Sequence, residues 1–320
     1  MKAPESDFCG MLVVNKEAGY TSSDVVAKLR GILHLRRIGH TGTLDPAAVG
    51  VLPVCLGPAT RLAGLVEAKD KEYLAVLRLG TVTDTQDATG SVLSRLADER
   101  VAELAAPWRI REAVCGFTGE IQQIPPMYSA VRIGGKRLYE YAREGKEIER
   151  APRTVTISDI RVEDIALPLV TLRVTCSRGT YIRTLCEDIG RALGTGGCME
   201  HLVRTRVGDF TLDEAWKLSA LQEIMDGHPE KMRSVILPAD SFFADAPEAH
   251  VTEDSMKYLR NGNALSADNL AEDALPQAEH IRVYGADGTF FALYRYDAAR
   301  RRILPVCMLH ATDSAGKDRH

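Results

Sequence analysis

Apolar positions along this chain fall in short runs whose period changes from segment to segment. Met11–Asn15 is an apolar run of the length a buried strand needs. Thr21, Ser22 and Ser23 then offer helix caps, and Val25, Val26, Leu29, Ile32 and Leu33 follow at the spacing of one helical face. Val51–Leu56 reads as a strand, Thr60–Glu67 as helical, and Tyr73–Leu79 as another strand ahead of the polar, turn-rich Thr81–Gly90. Residues 98–115 predict a helix interrupted at Pro107. The pair Pro125-Pro126 enforces extended backbone, Leu138–Glu144 suits a helix, and Thr154–Glu163 suits a strand. Leu169–Cys176 is rich in β-branched residues and bounded by Pro168 and Ser177-Arg178-Gly179, which marks a further strand. Tyr181–Leu193 reads as a helix ended by Gly194, Gly196 and Gly197.

Strands and helices are mixed without a regular strand–helix–strand beat, which points to an α+β protein and away from a doubly wound one. Pro238, Pro247 and a rise in acidic residues mark a composition shift near 235–250. We therefore expect one domain over 1–238 and a small β-rich domain over 239–320 with a polar tail. The second domain carries short strands at Ile281–Tyr284, Phe290–Tyr296 and Ile303–Met308, separated by Gly/Asp turns. No internal repeat is visible.

Composition narrows the class. The 320 residues are 45% hydrophobic and 26% charged, enough for two real cores and typical of a soluble protein. No apolar run approaches a membrane span, and Met1–Gly10 resembles neither a signal nor a transit peptide. Seven cysteines, odd in number and without a CxxC pair, argue against a disulfide framework or a zinc site. Cys55, Cys115, Cys176 and Cys307 lie in apolar surroundings and are expected in the core; a reducing cytoplasm fits. The net charge of −4 gives no hint of a nucleic-acid partner; its distribution says more. Residues 236–320 carry nine Lys/Arg against thirteen Asp/Glu, whereas the preceding 235 carry 31 of each. Within that neutral part, residues 28–45 are locally basic, and a second strip holds Arg132, Lys136, Arg137, Arg143, Lys146, Arg150 and Arg153. Such strips are either solvated faces or tracks for a phosphate backbone.

The candidate chemistry centres on Gly39-His40-Thr41-Gly42-Thr43-Leu44-Asp45-Pro46. Glycines and a proline around a single carboxylate describe either a surface turn or a loop that holds an acid at a set angle above a pocket. Tyr181 and Arg183 flank Ile182, and on a strand-like entry they would point the same way. A guanidinium there could orient a carboxylate, and an aromatic ring could stack on a nucleobase. His40 could be a base or an ordinary hydrogen-bonding residue. Asp84 and Asp87 fit a capped turn better than a metal pair. Gly194-Thr195-Gly196-Gly197 follows a helix and lacks the lysine of a nucleotide loop.

Taken together, these segments resemble the TruB-type tRNA pseudouridine synthases over nearly all of residues 10–210. The resemblance is carried by Gly39–Pro46 with Gly50, Lys71-x-Tyr73, Leu79-Gly80, Thr83-Asp84-Thr85-x-Asp87 and Pro125-Pro126-x-Tyr128-Ser129-Ala130. It continues through Gly135-Lys136, Tyr139, Ala142-Arg143, Gly179-Thr180-Tyr181-Ile182-Arg183 and Leu202-x-Arg204-Thr205. It implies isomerisation of uridine 55 in the T-loop of tRNA, with Asp45 as the catalytic aspartate, Arg183 its partner and Tyr73 against the flipped base. Tyr181 and Leu202 would belong to the base pocket, His40 would contact the RNA, and Lys16, Arg143 and Arg153 are further substrate-binding candidates. The implied fold is a mixed, mainly antiparallel sheet with flanking helices, followed by a PUA-type RNA-binding barrel suggested more weakly by Tyr258-Leu259-Arg260-x-Gly262. Lys16-Glu17-Ala18-Gly19 departs from the family's frequent Lys-Pro-x-Gly, as do Ser23 and Arg132 at their positions. Since the reaction only moves a glycosidic bond from N1 to C5, it implies no cofactor and no metal. The partner expected is the T-stem-loop of tRNA, met by a cytoplasmic monomer with no protein partner. Guide-RNA-dependent relatives typically carry basic tails that this chain lacks. A tRNA-folding chaperone without catalysis and an aspartyl-nucleophile hydrolase are the remaining rivals.

Overall fold

The computed structural model describes residues 8–309, so the polar tail and most of the N-terminal segment lie outside the described residues. Lys71–Leu79 alternates buried and half-buried residues without a break, the signature of a strand with one face on a core. It pairs on one side with Leu169–Cys176 and on the other with Gly197–Val207, both antiparallel. The sheet extends from Leu169–Cys176 to Arg153–Ala166 and the edge strand Gly119–Gln123. In the other direction Gly197–Val207 meets Val49–Leu56 in a short parallel contact, and Val49–Leu56 pairs with Gly10–Lys16 and Ile38–His40. With Phe210–Thr211 this makes nine strands, mixed and mainly antiparallel as the resemblance implied.

Helices cover the sheet through apolar stripes. Ile182, Leu185, Cys186, Ile189 and Leu193 of helix Ile182–Leu193 share a core with Ala75, Leu77, Val170, Leu172 and Val174. Helix Ser22–Leu33, closed by a Thr21/Asp24 capping box, packs Val25, Leu29 and Leu33 on Leu12, Val14, Leu52 and Val54. Pro107 opens helix Pro107–Cys115 after the end of Asp98–Leu104, so the break lies where the proline predicted it.

Glu248–His250, Ile281–Tyr284, Phe290–Asp297 and Arg302–Met308 form a separate four-stranded sheet, extended by isolated bridges Leu265–Ile303 and Val251–Leu270. Pairing among the described residues forms this sheet and does not by itself close a barrel. It has its own core, including Leu259, Val283, Tyr294 and Ile303. A further cluster joins it to the large sheet: Phe242, Phe243, Leu293 and Leu309 pack with Met11, Val13, Val207 and Phe210. Each phenylalanine fully buried in that seam contributes roughly 1.5–3 kcal/mol. Arg61 adds hydrogen bonds to the carbonyls of Met308 and Leu309.

Several elements differ from expectation. Gly197–Val207 was not anticipated as a strand, because Glu200, Arg204 and Arg206 interrupt its apolar residues and two register irregularities break the alternation. Gly119–Gln123 is a mostly polar edge strand with a single neighbour, which leaves little hydrophobic signal. Cys115 is exposed and Cys307 half-buried, whereas Cys55 and Cys176 are in the core. Gly39 sits in an ordinary strand; the left-handed backbone of the Asp45 loop is at Gly42, with φ 92°.

Gly50 shows how tightly the sheet is set. Its φ is 107°, and a Cβ there would lie 2.2 Å from the Arg204 carbonyl oxygen. We expect Gly50→Ala to destabilise the protein by about 3–5 kcal/mol. Gly19→Ala, at φ 88° with nothing within 4 Å of the added carbon, should cost only about 1 kcal/mol. Denaturant melts of the two variants side by side check the difference.

Candidate active site

Asp45 is held from several sides. Ser22 Oγ accepts from the Leu44 amide at 2.9 Å, and the Ala48 amide donates to the Asp45 carbonyl at 3.1 Å. On one flank Lys16, 0% exposed, donates its ammonium to the carbonyls of Ala48 at 2.6 Å and of Pro46 and Glu17 at 3.1 Å. On the other, Arg204, 1% exposed, donates Nε to the Val51 carbonyl at 2.7 Å. Its Nη2 and Nη1 reach the carbonyls of Gly42 and Thr43 at 3.3 and 3.5 Å. The turn that looked free in sequence is thus strapped by two buried cations. Burial pushes the Lys16 amine down to about 8, against the pull of Asp45.

Arg183 lies in the first turn of helix Ile182–Leu193, while Tyr181 is its extended N-cap residue. They do not share a strand, yet both line the same cavity. Gln123 sets Tyr181 in place, accepting from its amide at 3.0 Å and donating to its carbonyl at 3.2 Å. The Arg183 guanidinium meets both oxygens of Asp45, Nε to Oδ2 at 2.9 Å and Nη2 to Oδ1 at 3.3 Å. Its remaining donors go to the carbonyls of Tyr128 at 2.8 Å and Thr85 at 3.1 Å, with Asp87 4.0 Å away. The Arg183 side chain is 6% exposed and that of Asp45 36%, so the carboxylate is the member of the pair open to the cavity.

That cavity has a volume of ≈ 750 Å³ and is lined by Asp45, Tyr73, Arg183, His40, Tyr181, Leu202 and Arg143, among others. It falls within the range of roughly 300–1,000 Å³ typical of ligand sites. Tyr73 and Leu202 come from adjacent strands and pack in one core with Leu44. Burial raises the Tyr73 phenol, which stays protonated, although the Arg204 guanidinium beside it pulls the other way. Burial and Arg204 both hold His40 below its ordinary value, so its imidazole is neutral at physiological pH. Tyr139, on the rim, has Arg143 and Arg137 over its ring at 5.3 and 5.8 Å.

Two candidates lie elsewhere. Lys16 is enclosed beneath the Asp45 loop with its donors occupied, and Arg153 is exposed on strand Arg153–Ala166 outside the cavity. Asp84 and Asp87 serve turn donors: Asp84 accepts from the Ser91 amide, Asp87 from Thr85 and Thr89. Sequence reasoning passed over Arg204 as anything beyond a motif letter. A signal was there, since an arginine one position after the apolar Val203 in a core segment needs buried partners.

The fold is that of the pseudouridine synthase class. Over 95% of its length the chain matches a chain of an archaeal box H/ACA sRNP Nop10-Cbf5 complex, with a TM-score of 0.69, 25% identity and 87% of that chain covered. The N-terminal domain model of the TruB family pseudouridylate synthases matches residues 30–182, and the tRNA pseudouridylate synthase B C-terminal domain model matches 183–244. The chain is 47% identical to tRNA pseudouridine synthase B of Lachnoclostridium phytofermentans, over 93% of this chain and 99% of that protein. With its namesake in Ralstonia nicotianae the identity is 44%, over 90% and 89%. The chain belongs to the TruB family and is a pseudouridine synthase, an isomerase.

Burial raises the Asp45 carboxyl above its ordinary value; Arg183 opposes the rise and Asp87 adds to it. Native Asp45 therefore holds its proton more tightly than in the unfolded chain. Its ionisation subtracts from stability as pH rises through that window. We expect carboxyl ¹³C NMR to place the Asp45 titration above that of an exposed aspartate, and Arg183→Gln to move it higher still. A titration unmoved by Arg183→Gln would contradict the pairing.

Proposed function

We propose that this chain converts uridine 55 in the T-loop of tRNA to pseudouridine, acting alone on the T-stem-loop. The observation that carries the reading is the partly exposed carboxylate of Asp45, held by both oxygens against the buried Arg183 in a cavity with aromatic and apolar walls. The N1–C1′ bond of an RNA uridine is reached only when the nucleotide leaves its stack, at a cost of a few kcal/mol. Tyr73 and Leu202 give the extruded base a replacement surface, and Tyr181 stacks beside it. Asp45, ionised, supplies the negative charge that glycosidic cleavage needs. One such carboxylate serves each route to the product: attack at C1′, attack at C6, or a glycal path. Arg183 keeps that charge in place, and the uracil turns within the cavity and rejoins through C5. C5 gives up its proton once bonded to C1′ and N1 gains one in place of its bond to C1′, so nothing is oxidised, no atom is lost and the reaction balances without a cofactor.

His40 contacts RNA at the cavity mouth as a neutral hydrogen-bonding group, and Arg143 and Arg153 meet phosphates. Lys16 supports the loop in the free protein, and we infer that it acts on substrate through Asp45. Residues 1–238 serve as the catalytic unit, and 239–320 as an RNA-binding unit. No helix among the described residues is long and apolar enough to cross a membrane, in keeping with work on tRNA in the cytoplasm.

Incubating the protein with an unmodified tRNA transcript and mapping pseudouridine at single-nucleotide resolution tests the reading. One new pseudouridine in the T-loop is expected, with Asp45→Asn binding the transcript but forming none. Tight binding with no modification by the unaltered chain would favour the chaperone reading. Arg143→Ala is expected to weaken tRNA binding and to lower the salt slope of log Kd by about one, while leaving the rate at saturating enzyme nearly unchanged. An unaltered salt slope would remove Arg143 from phosphate contact.

A further inference from the structure

Buried polar side-chain atoms are nearly always paired, so the exceptions point to where a partner arrives from outside. Among the described residues three such atoms stand without one: His40 Nδ1, Ser129 Oγ and Arg150 Nε. His40 and Ser129 both line the cavity above Asp45. Ser129 is the more enclosed of the two, at 6% exposed.

Two main-chain carbonyls at Ser129 are engaged. The Tyr128 carbonyl accepts from Arg183 Nη2 at 2.8 Å, and the Ser129 carbonyl accepts from the Tyr139 amide at 3.1 Å. That same Nη2 reaches Asp45 Oδ1 at 3.3 Å. Ser129 is therefore one residue from the group that fixes the Arg183–Asp45 pair, and its hydroxyl has no hydrogen-bond partner. Accepting the cavity as a nucleotide pocket, we propose that Ser129 Oγ is a substrate contact that hydrogen-bonds a ribose hydroxyl of the flipped uridine.

The division of the cavity supports the sugar over the base. Tyr73, Leu202 and Leu44 form a wall that suits the flat face of a uracil and offers little to a sugar hydroxyl. Asp45 and Arg183 have to lie beside the glycosidic bond, so the neighbouring Tyr128–Ser129 segment flanks the ribose end. A serine hydroxyl both donates and accepts, as does a 2′-hydroxyl, and the pair suits either direction of the bond. Oγ is covered in the free protein. The contact therefore requires χ1 to move to a staggered well that presents Oγ to the cavity the residue lines.

The test uses Ser129→Ala in an Asp45→Asn background, which stops turnover. Binding is measured for a T-stem-loop RNA with either ribose or 2′-deoxyribose at the target uridine. We expect Ser129→Ala to weaken binding of the ribose RNA by about tenfold and to leave binding of the 2′-deoxy RNA unchanged. Free-protein Tm should stay level or rise, because the variant removes a buried hydroxyl that has no protein partner. Equal weakening on both RNAs would overturn the ribose assignment. Unchanged binding of both would overturn the contact altogether, and a marked fall in Tm would show a structural role instead. The chain with both native residues is assayed for pseudouridine on the ribose RNA in parallel. Failure there would bring down the isomerase reading and the serine assignment with it.

Discussion

Keeping a carboxylate charged inside a protein requires a cation that cannot yield its proton, and the Arg183–Asp45 pair meets that requirement. Arginine stays protonated under any working condition, and its planar fork binds both oxygens at once. The pair also needs its own support. A guanidinium in the first turn of a helix faces the positive end of the helix dipole, which disfavours it. The carbonyls of Thr85 and Tyr128, with Asp87 nearby, answer that by surrounding Arg183 with negative charge. Three chain segments far apart in sequence therefore converge on one side chain.

The second layer of support consists of buried cations that bind main-chain carbonyls. Lys16 and Arg204 take the loop on either side of Asp45, and Lys71 donates to the carbonyls of Glu67 and Lys69 just ahead of Tyr73. Carbonyl dipoles neutralise a buried charge only partly. Burial, with Arg204 acting in the same direction, holds both lysines down to about 8. Lys16 beneath the loop accordingly favours the ionised form of Asp45, against the effect of burial. Gly50 lets the loop strand approach the Arg204 strand closely enough for these contacts.

Much of this was legible in the sequence. Periodicity located Lys71–Leu79, Leu169–Cys176 and helix Ile182–Leu193, because each has one apolar face on a single core and keeps its period throughout. Three of the four short strands of the C-terminal sheet were legible for the same reason, with Gly/Asp turns marking their ends; Glu248–His250, three residues long, was not. Gly197–Val207 was not. Its register irregularities and buried Arg204 disrupt the alternation on which such a reading depends.

The sequence by itself determined the α+β class, and the resemblance carried by its motifs determined the family and the residues expected at the site: one acid, one arginine, a tyrosine and a leucine. Those follow from local pattern, since period, turn residues and motif spacing are properties of neighbouring positions. Only the tertiary structure decided that Lys16 lies beneath the loop rather than in the cavity, that Arg204 straps it, and that Ser129 keeps a hydroxyl unassigned. Each of these depends on what a side chain meets across the sheet. A carbonyl contributed by a residue some 30 or 160 positions away leaves no trace in the side chains that flank it, because every residue carries the same carbonyl.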